Sequence, residues 1–165
     1  HVVERLNQAP QVPGRMERIA ERPAVVLRDY AHTPDALERA LQSLRPVTPG
    51  KLIVVFGCGG ERDRGKRPVM GKIAAELADL AIVTSDNPRR EDPDFIIDEV
   101  EQGMGTTPHR RFTDRREAIA AALAAATGDN TVLLAGKGHE TYQVIGTEKV
   151  AFDERQIVGE ILGHG

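Results

Sequence analysis

Four short apolar runs constrain the fold of this chain more than any other feature of its sequence. They are AVVL at 24–27, LIVVF at 52–56, LAIVT at 80–84 and TVLLA at 131–135. Each run is continuous rather than alternating, which is typical of strands that are buried on both faces. The runs therefore predict central strands of a sheet that is covered by helices on both sides.

Segments with helical periodicity separate these runs. Leu37, Leu41 and Leu44 line one face of a helix that starts at Thr33 and Pro34, where Thr can cap and Pro is tolerated. Three further helices are predicted after Pro68, after Asp92-Pro93, and from Asp114 with Glu117 through an Ala-rich stretch to Thr127-Gly128. The alternation of strands and helices predicts an α/β fold with a doubly wound, mostly parallel sheet.

The two ends of the chain differ from this pattern. YQVIGTEKVAF at 142–152 places a Gly-Thr turn between two strand-like runs, which predicts a hairpin that adds antiparallel strands at one edge of the sheet. A last helix is predicted from about Asp153 to Leu162. The opening HVVERLNQAPQVP fits no complete element, so we expect 1–12 to be a fragment of a preceding domain or linker and 13–165 to form one domain.

Length, charge and cysteine content narrow the functional classes. The 165 residues, 40% of them hydrophobic, suffice for one domain with a full core. A formal net charge of −3 gives no bulk electrostatic reason to bind nucleic acid or a membrane surface. The apolar runs are far shorter than the roughly 20 residues that span a bilayer, and no signal-peptide pattern is present, which predicts a cytoplasmic protein. Cys58 is the single cysteine and cannot form an internal disulfide.

Each apolar run is followed by an uncommon polar cluster. The clusters are RDYAHTPD, GCGGERDRGKR, SDNPRR and GKGHE. The carboxyl ends of parallel strands meet at one edge of a sheet, where open α/β folds bind their ligands. One cluster alone would be interpreted as an ordinary loop, but four at the same edge favour a single functional site.

The second cluster has the spacing of a phosphate-binding P-loop without its essential residues. Positions 60–66 read G-x-x-x-x-G-K between a strand and a helix. Arg67 stands where Ser or Thr would hold magnesium, and four charged residues at 61–64 fill the loop that would wrap phosphate. We therefore predict a charged loop that reaches an ionic ligand, with structural ion pairing of Asp63 and Arg64 as the alternative.

The third and fourth clusters predict a site of mixed charge. Arg89 could hold a carboxylate with its two-pronged guanidinium, and Glu140 could accept a hydrogen bond from an ammonium group. With Asp86 and Asn87 they suit a zwitterionic amino acid. His139 could be a general base or a metal ligand, but no other His, Cys or acid stands at a metal-ligand spacing, which favours a structural hydrogen bond.

Five ordered motifs add a family resemblance. They are GRME at 14–17, DYAHTPDAL at 29–37, VFGCGGERDRGKRPVMG at 55–71, DNPR at 86–89 and GKGHETYQ at 136–143. Together they resemble the C-terminal domain of the Mur ligases, specifically those of the MurE type. The resemblance covers the chain from Pro13 onward, and it departs from the family pattern only slightly, with Arg64 where lysine is common and Glu61 where aspartate is.

The resemblance implies ATP-dependent amide ligation in peptidoglycan synthesis, assisted by Mg²⁺. In this family ATP phosphorylates the D-glutamate carboxylate of UDP-MurNAc-L-Ala-D-Glu, and the amine of the incoming amino acid attacks the acyl phosphate. Relatives with DNPR add meso-diaminopimelate. Complete members also have a UDP-substrate domain and a central ATPase domain with a P-loop. We therefore expect an excised C-terminal domain that is inactive alone, with ATP and Mg²⁺ bound mainly by the absent central domain.

The resemblance also assigns residues by position. Those expected to hold the amino acid are Arg62, Asp86, Asn87, Pro88, Arg89, Gly136 and Glu140. Those expected to contact ATP are Arg15 and Asp29, with Tyr30 and His32 as weaker candidates near the nucleotide. No catalytic or metal-ligating residue is expected in this domain alone. Two alternatives stay open, namely the C-terminal domain of a lysine-adding or other Mur-type ligase, and a binding module without catalysis.

Overall fold

The computed structural model describes residues 15–163, and a six-stranded sheet forms its centre. The strands are β1 (Glu17–Ala20), β2 (Val25–Asp29), β3 (Leu52–Phe56), β4 (Leu80–Val83), β5 (Arg110–Arg111) and β6 (Thr131–Ala135). Their order across the sheet is β1-β2-β6-β3-β4-β5, with every neighbouring pair parallel except β1 and β2. All four apolar runs form strands of this sheet, as predicted. The expected fragment at 1–12 lies outside the described residues.

Five α-helices surround the sheet in the described part of the chain. They are α1 (Pro34–Leu44), α2 (Lys66–Leu77), α3 (Pro93–Glu101), α4 (Arg115–Ala125) and α5 (Glu154–Ile161), and a 3-10 turn (Arg45–Val47) follows α1. The side chains of Thr33, Asp92, Asp114 and Asp153 accept hydrogen bonds from main-chain N–H groups of the first turns, so these predicted starts are confirmed. No helix within 15–163 is long and apolar enough to cross a membrane.

Two helix boundaries differ from the prediction. Helix α2 begins at Lys66, two residues before Pro68. Proline is tolerated there because the first turn of a helix has N–H groups without intrahelical partners. Helix α4 ends at Ala125 because the next residue, Ala126, is already extended with ψ 139°, so the chain leaves the helix before Gly128.

The helices divide between the two faces of the sheet, which confirms a doubly wound fold. Val25 and Leu27 of β2 pack in the apolar cluster that contains residues of α1, α2 and α3. Val26, between them, packs in the cluster that contains residues of α4 and α5. Successive side chains of a strand point to opposite faces, so a strand between two helical layers is apolar at every position. This is the origin of the continuous apolar runs.

The predicted hairpin is present, but it does not extend the main sheet. Strand β7 (Tyr142–Ile145) pairs antiparallel with β8 (Glu148–Ala151) in a sheet of two strands. An isolated bridge between Ile145 and Arg89 joins it to the loop after β4. In β7, the N–H of Val144 donates a hydrogen bond to Asn87 and its carbonyl accepts one from Arg89, both in the loop after β4. The hairpin therefore pairs with this loop and not with an edge strand of the main sheet. The antiparallel edge strand is instead β1, which the sequence analysis did not anticipate.

Candidate amino-acid site

The four polar clusters surround one cleft of about 710 Å³ at the carboxyl edge of the sheet. Its walls come from the loops that follow β2, β3, β4 and β6. Eight of the eleven predicted contact residues line it, namely Tyr30, His32, Arg62, Asp86, Asn87, Arg89, Gly136 and Glu140. The convergence expected from the parallel sheet is therefore observed, and Pro88, Arg15 and Asp29 lie outside the lining.

Two glycines allow the loops after β3 and β4 to lie against each other. A Cβ atom on Gly57 would stand 2.2 Å from the carbonyl oxygen of Thr84, and one on Gly60 would stand 1.8 Å from that of Pro88. Neither contact is possible for a real side chain. The N–H of Gly60 instead donates to the carbonyl of Asn87 at 2.8 Å. The glycines of the second cluster thus serve close packing of two cleft loops.

Arg89 has an unusual backbone conformation that the hairpin holds in place. Its φ of 53° lies in the left-handed region, which is unfavourable for a residue with a side chain. Its N–H donates to the carbonyl of Val144 at 2.9 Å, and its carbonyl accepts from the N–H of Gly146 at 2.7 Å. The side chain extends the other way, where Nη1 donates to the carbonyl of Gly60 at 2.9 Å. Strand β7 therefore sets the direction of this guanidinium.

The arginines of the cleft loops fall into two groups. Three form ion pairs within the domain, with closest contacts of 2.7 Å for Arg64 and Glu99, 2.8 Å for Arg67 and Glu91, and 2.9 Å for Arg90 and Glu61. Among residues 15–163, Arg62 and Arg89 form no ion pair with a carboxylate, and their hydrogen bonds go to main-chain carbonyls. Both line the cleft. The two loop arginines that form no ion pair with a described carboxylate therefore face the same space.

The ion pairs also decide between the two interpretations of the charged loop at 61–64 that the sequence left open. Arg64 forms a structural ion pair, as one interpretation of its loop predicted. Asp63 stabilises its own turn instead, because its Oδ1 accepts from the N–H of Gly65 at 2.8 Å. Arg89 forms no ion pair with Asp86 or Asp92, its neighbours in the same loop, so its charge is not used to hold that loop through either acid.

Lys137 lies beneath the part of the cleft wall that Asp86 and Glu140 form, and its side chain has no exposed surface. Its Nζ lies 2.9 Å from Oδ1 of Asn87, 3.3 Å from Oδ1 of Asp86 and 3.5 Å from Oε1 of Glu140. Oδ1 of Asn87 also accepts from the N–H of Val144 at 2.9 Å. No role for Lys137 was predicted from the sequence. Its position two residues after a fully buried strand was the available signal, because a lysine that is buried there must find acceptors inside the protein.

Two further residues at the cleft were not predicted as contacts. Lys66, at the start of α2, donates from Nζ to the carbonyl of His32 at 2.9 Å and so joins the first and second clusters. Cys58 lies at the cleft wall with its sulfur 3.7 Å from that of Met70. Burial raises the pKa of the Cys58 thiol to about 12, so it remains protonated and unreactive at neutral pH.

Of the four residues assigned to ATP, Tyr30 and His32 line the cleft, whereas Arg15 and Asp29 lie outside its lining. The Arg15 guanidinium lies 5.9 Å from the ring centre of Tyr30, and that ring lies 4.4 Å from the ring of His32. Asp29 is half-buried, and its Oδ1 accepts from the N–H of Met16 at 2.7 Å. Burial raises the pKa of the Asp29 carboxyl, while hydrogen bonds from main-chain N–H groups oppose this rise. One carboxylate oxygen of Asp29 is thus occupied in holding the turn at Met16.

Pro88 faces a second cavity of about 840 Å³, on the other side of the 86–89 turn. This cavity is bounded by the hairpin and by the first turns of α4 and α5, and Arg89 lines it as well. The turn at 86–89 is therefore a wall between two cavities. Within 15–163, no group of three or more His, Cys, Asp and Glu side chains is arranged to hold a metal ion, so no Mg²⁺ ligand is assigned to these residues.

The sequence of this chain is similar to that of a known protein family and to those of individual ligases. Residues 14–138 match the family described as Mur ligase, glutamate ligase domain. The chain is 57% identical over 168 residues to UDP-N-acetylmuramoyl-L-alanyl-D-glutamate--2,6-diaminopimelate ligase of Parasynechococcus marenigrum, a match that covers 98% of this chain and 34% of the relative. It is 54% identical over 165 residues to the protein of the same name from Synechocystis sp., covering 98% and 33%.

Solved structures agree with the sequence matches. A structure of UDP-N-acetylmuramoyl-L-alanyl-D-glutamate--2,6-diaminopimelate ligase superposes with a TM-score of 0.87 and 41% identity, over 98% of this chain and 34% of that one. Folylpolyglutamate synthase from Mycobacterium tuberculosis, complexed with ADP and AMPPCP, shares the fold alone, with a TM-score of 0.61 and 22% identity over 78% of this chain and 30% of that one. The chain spans about a third of the relatives it matches. By family match, identity and fold, it belongs to the Mur ligases and corresponds to their C-terminal, glutamate ligase domain.

Proposed function

We propose that this chain is the amino-acid-binding and ATP-closing domain of a longer ligase that adds meso-diaminopimelate to UDP-MurNAc-L-Ala-D-Glu in peptidoglycan synthesis. The names of the relatives support this proposal, because they specify 2,6-diaminopimelate and the same dipeptide nucleotide. The chain supplies about a third of such a protein. The nucleotide-linked dipeptide would bind through the remaining part of that ligase, and we expect the ligase to act in the cytoplasm.

One observation carries the proposal. Arg62 and Arg89 line the same cleft as Asp86 and Glu140, and neither arginine forms an ion pair with a carboxylate of the described residues. Meso-diaminopimelate ends in a second amino-acid head, with a carboxylate and an ammonium group. Two guanidinium groups suit the carboxylate, and two carboxylates suit the ammonium. The distal end of lysine carries only an ammonium group. The presence of two arginines in the cleft therefore favours diaminopimelate.

The arrangement also indicates what this chain does in the reaction. ATP phosphorylates the D-glutamate carboxylate, and an amine then attacks the acyl phosphate and releases phosphate. If the cleft holds one head of diaminopimelate, the amine of the other head remains free to attack. The chain would therefore orient the nucleophile, an effect that raises the rate by converting an encounter into a positioned contact. The candidates for contact with the nucleotide are Tyr30 and His32 at the cleft and Arg15, whose guanidinium lies near the Tyr30 ring.

Replacement of Arg89 tests this proposal. In the full-length ligase, Arg89→Ala should raise the KM for meso-diaminopimelate by about 30- to 1000-fold, which corresponds to roughly 2–4 kcal/mol for a charge-assisted pair. The KM for L-lysine should change little, since lysine has no distal carboxylate. Steady-state kinetics with both amino acids measure the difference.

Two further variants separate substrate contact from loop shape. Arg89→Gly adopts a φ of 53° without strain and should lose selectivity as Arg89→Ala does. Arg90→Ala is the matched control, because the Arg90 side chain is 72% exposed and pairs with Glu61 outside the cleft lining. An equal loss for both amino acids in the Arg89 variants would show that this residue shapes the loop without reading the substrate.

A further inference from the structure

Lys137 is a buried cation that is paired on one side by residues of the cleft. Its Nζ donates hydrogen bonds to Oδ1 of Asn87 at 2.9 Å and Oδ1 of Asp86 at 3.3 Å, and it forms an ion pair with Oε1 of Glu140 at 3.5 Å. A buried ammonium is costly unless it is paired in this way. All three acceptor residues line the amino-acid cleft, whereas Lys137 does not. The lysine therefore contacts the site from beneath.

The contacts of Asn87 show what this lysine controls. Both Lys137 Nζ and the N–H of Val144 donate to the same atom of Asn87, at 2.9 Å each, so that atom must be the amide oxygen. The amide NH₂ group then points away from both donors and lies 3.5 Å from Glu140. Without the Lys137 ammonium, one of the two donors that define this orientation is lost. The two neighbouring carboxylates also lose their shared cation.

We propose that Lys137 is a positioning residue of the amino-acid site, which fixes the amide orientation of Asn87 and holds Asp86 and Glu140 at the cleft wall. This inference rests on the proposed function of the cleft. It assigns Lys137 no contact with the substrate, because the side chain is fully buried and its ammonium is already held by two hydrogen bonds and an ion pair. Loss of Lys137 should therefore weaken amino-acid binding through the residues above it.

The experiment replaces Lys137 with Met, which keeps the length of the side chain and removes its charge. In the full-length ligase, Lys137→Met should raise the KM for the amino acid by roughly 10- to 100-fold. The KM for ATP should change by less than about threefold, because Lys137 contacts none of the residues assigned to the nucleotide. If Lys137→Met does not accumulate as folded protein, Lys137→Gln removes the charge and keeps a hydrogen-bond donor, and it should still raise the KM for the amino acid because Asp86 and Glu140 lose their shared cation.

Two comparisons distinguish positioning from a general contribution to folding. Lys137→Met should cost at least about threefold less in KM when Asn87 is already alanine, because residues that act through one another are not additive. Arg28→Met is the control for removal of a buried cation, since Arg28 is 7% exposed, pairs with Glu17 and lies outside the cleft lining. It should lower stability and leave the KM for the amino acid unchanged. Additive effects of Lys137→Met and Asn87→Ala on this KM would overturn the proposal. Equal KM changes in Lys137→Met and Arg28→Met would overturn it as well.

The wild-type enzyme is assayed first with meso-diaminopimelate and with L-lysine, so that the two hypotheses can fail separately. Preference for L-lysine would refute the proposed substrate, and the role of Lys137 would then be read from the KM for L-lysine. Preference for meso-diaminopimelate with an unchanged KM in Lys137→Met would refute the positioning role and leave the proposed substrate intact.

Discussion

Lys137 and Arg115 are two buried cations at the same edge of the sheet, and they act on different parts of the molecule. Neither side chain has exposed surface. Arg115 donates to Oε2 of Glu154 at 3.0 Å and to the carbonyls of Ser85 at 3.2 Å and Ala135 at 3.0 Å. It therefore ties α4 to α5 and to the ends of two strands. Lys137 contacts only side chains that line the cleft.

The comparison shows that burial of a charge does not by itself indicate function. Removal of either cation leaves acceptors unpaired, but for Arg115 these are main-chain carbonyls and one buried carboxylate of the scaffold. For Lys137 they belong to residues that could touch a substrate. The location of the partners decides whether a buried ion pair supports the fold or the site.

The largest effect on stability is expected from Arg115→Met. Glu154 has no exposed surface, and its Oε1 already lacks a hydrogen-bond partner among the described residues. Loss of Arg115 would leave this carboxylate buried without a counter-charge, which should cost about 3–5 kcal/mol of unfolding free energy. Urea denaturation of the 165-residue chain measures the change.

The double variant Arg115→Met with Glu154→Leu sharpens this result. It removes both charges together, so most of the lost stability should return. A loss below about 1 kcal/mol in the single variant would contradict a scaffold role for Arg115. A raised KM for the amino acid in the double variant would remove the contrast with Lys137.

A smaller effect is expected at Gln143, which combines the two kinds of role. Its side chain is 8% exposed and donates from Nε2 to the carbonyl of Asp86 at 3.0 Å, so it joins β7 to the cleft loop. Gln143→Leu should lower stability by about 1–2 kcal/mol, because it removes a buried hydrogen bond. It should also raise the KM for the amino acid a few-fold. Gln156→Leu, at an exposed position, is the control and should change neither quantity.

The smallest effect concerns acid stability at Glu99, a partner of another buried cation, Arg67. A hydrogen bond from Arg64 lowers the pKa of Glu99 to about 2 from 4.5, and a second one from Arg67 contributes in the same direction. A carboxyl with a lowered folded-state pKa stabilises the protein above its unfolded pKa, and this contribution is lost as the pH falls from 4.5 toward 2. The stabilisation at neutral pH should be below about 1 kcal/mol, because Arg64 is exposed.

Melting temperatures of wild type and Glu99→Gln between pH 6 and pH 2 test this expectation. The wild type should melt higher at pH 6, and the difference should shrink toward zero at the acid end. A difference that stays constant with pH would show that the glutamine change acts through packing rather than through charge.

Much of the fold could be predicted because its signals are local. A Thr or Asp before a helix accepts from N–H groups only two or three residues away, so Thr33 and Asp114 were recognised as caps. The misplaced hairpin had no such signal. Its position depends on hydrogen bonds between Val144 and the residues Asn87 and Arg89, more than 50 positions earlier in the chain. Strand β1 was missed because ERIA is short and only partly apolar.

The sequence by itself determined the parallel sheet, the edge at which the polar clusters gather, and the family through its ordered motifs. Only the tertiary structure decided which charges in those clusters remain available to a ligand. The cleft loops contain five arginines within 30 positions of chain. Among residues 15–163, two of them, Arg62 and Arg89, form no ion pair, and three do, namely Arg64, Arg67 and Arg90. The carboxylates that pair with Arg64 and Arg67 come from 24 or more residues away, on or just before α3. Ion pairing acts over a few ångströms in space, so it follows the folded arrangement of the loops and not their order in the sequence.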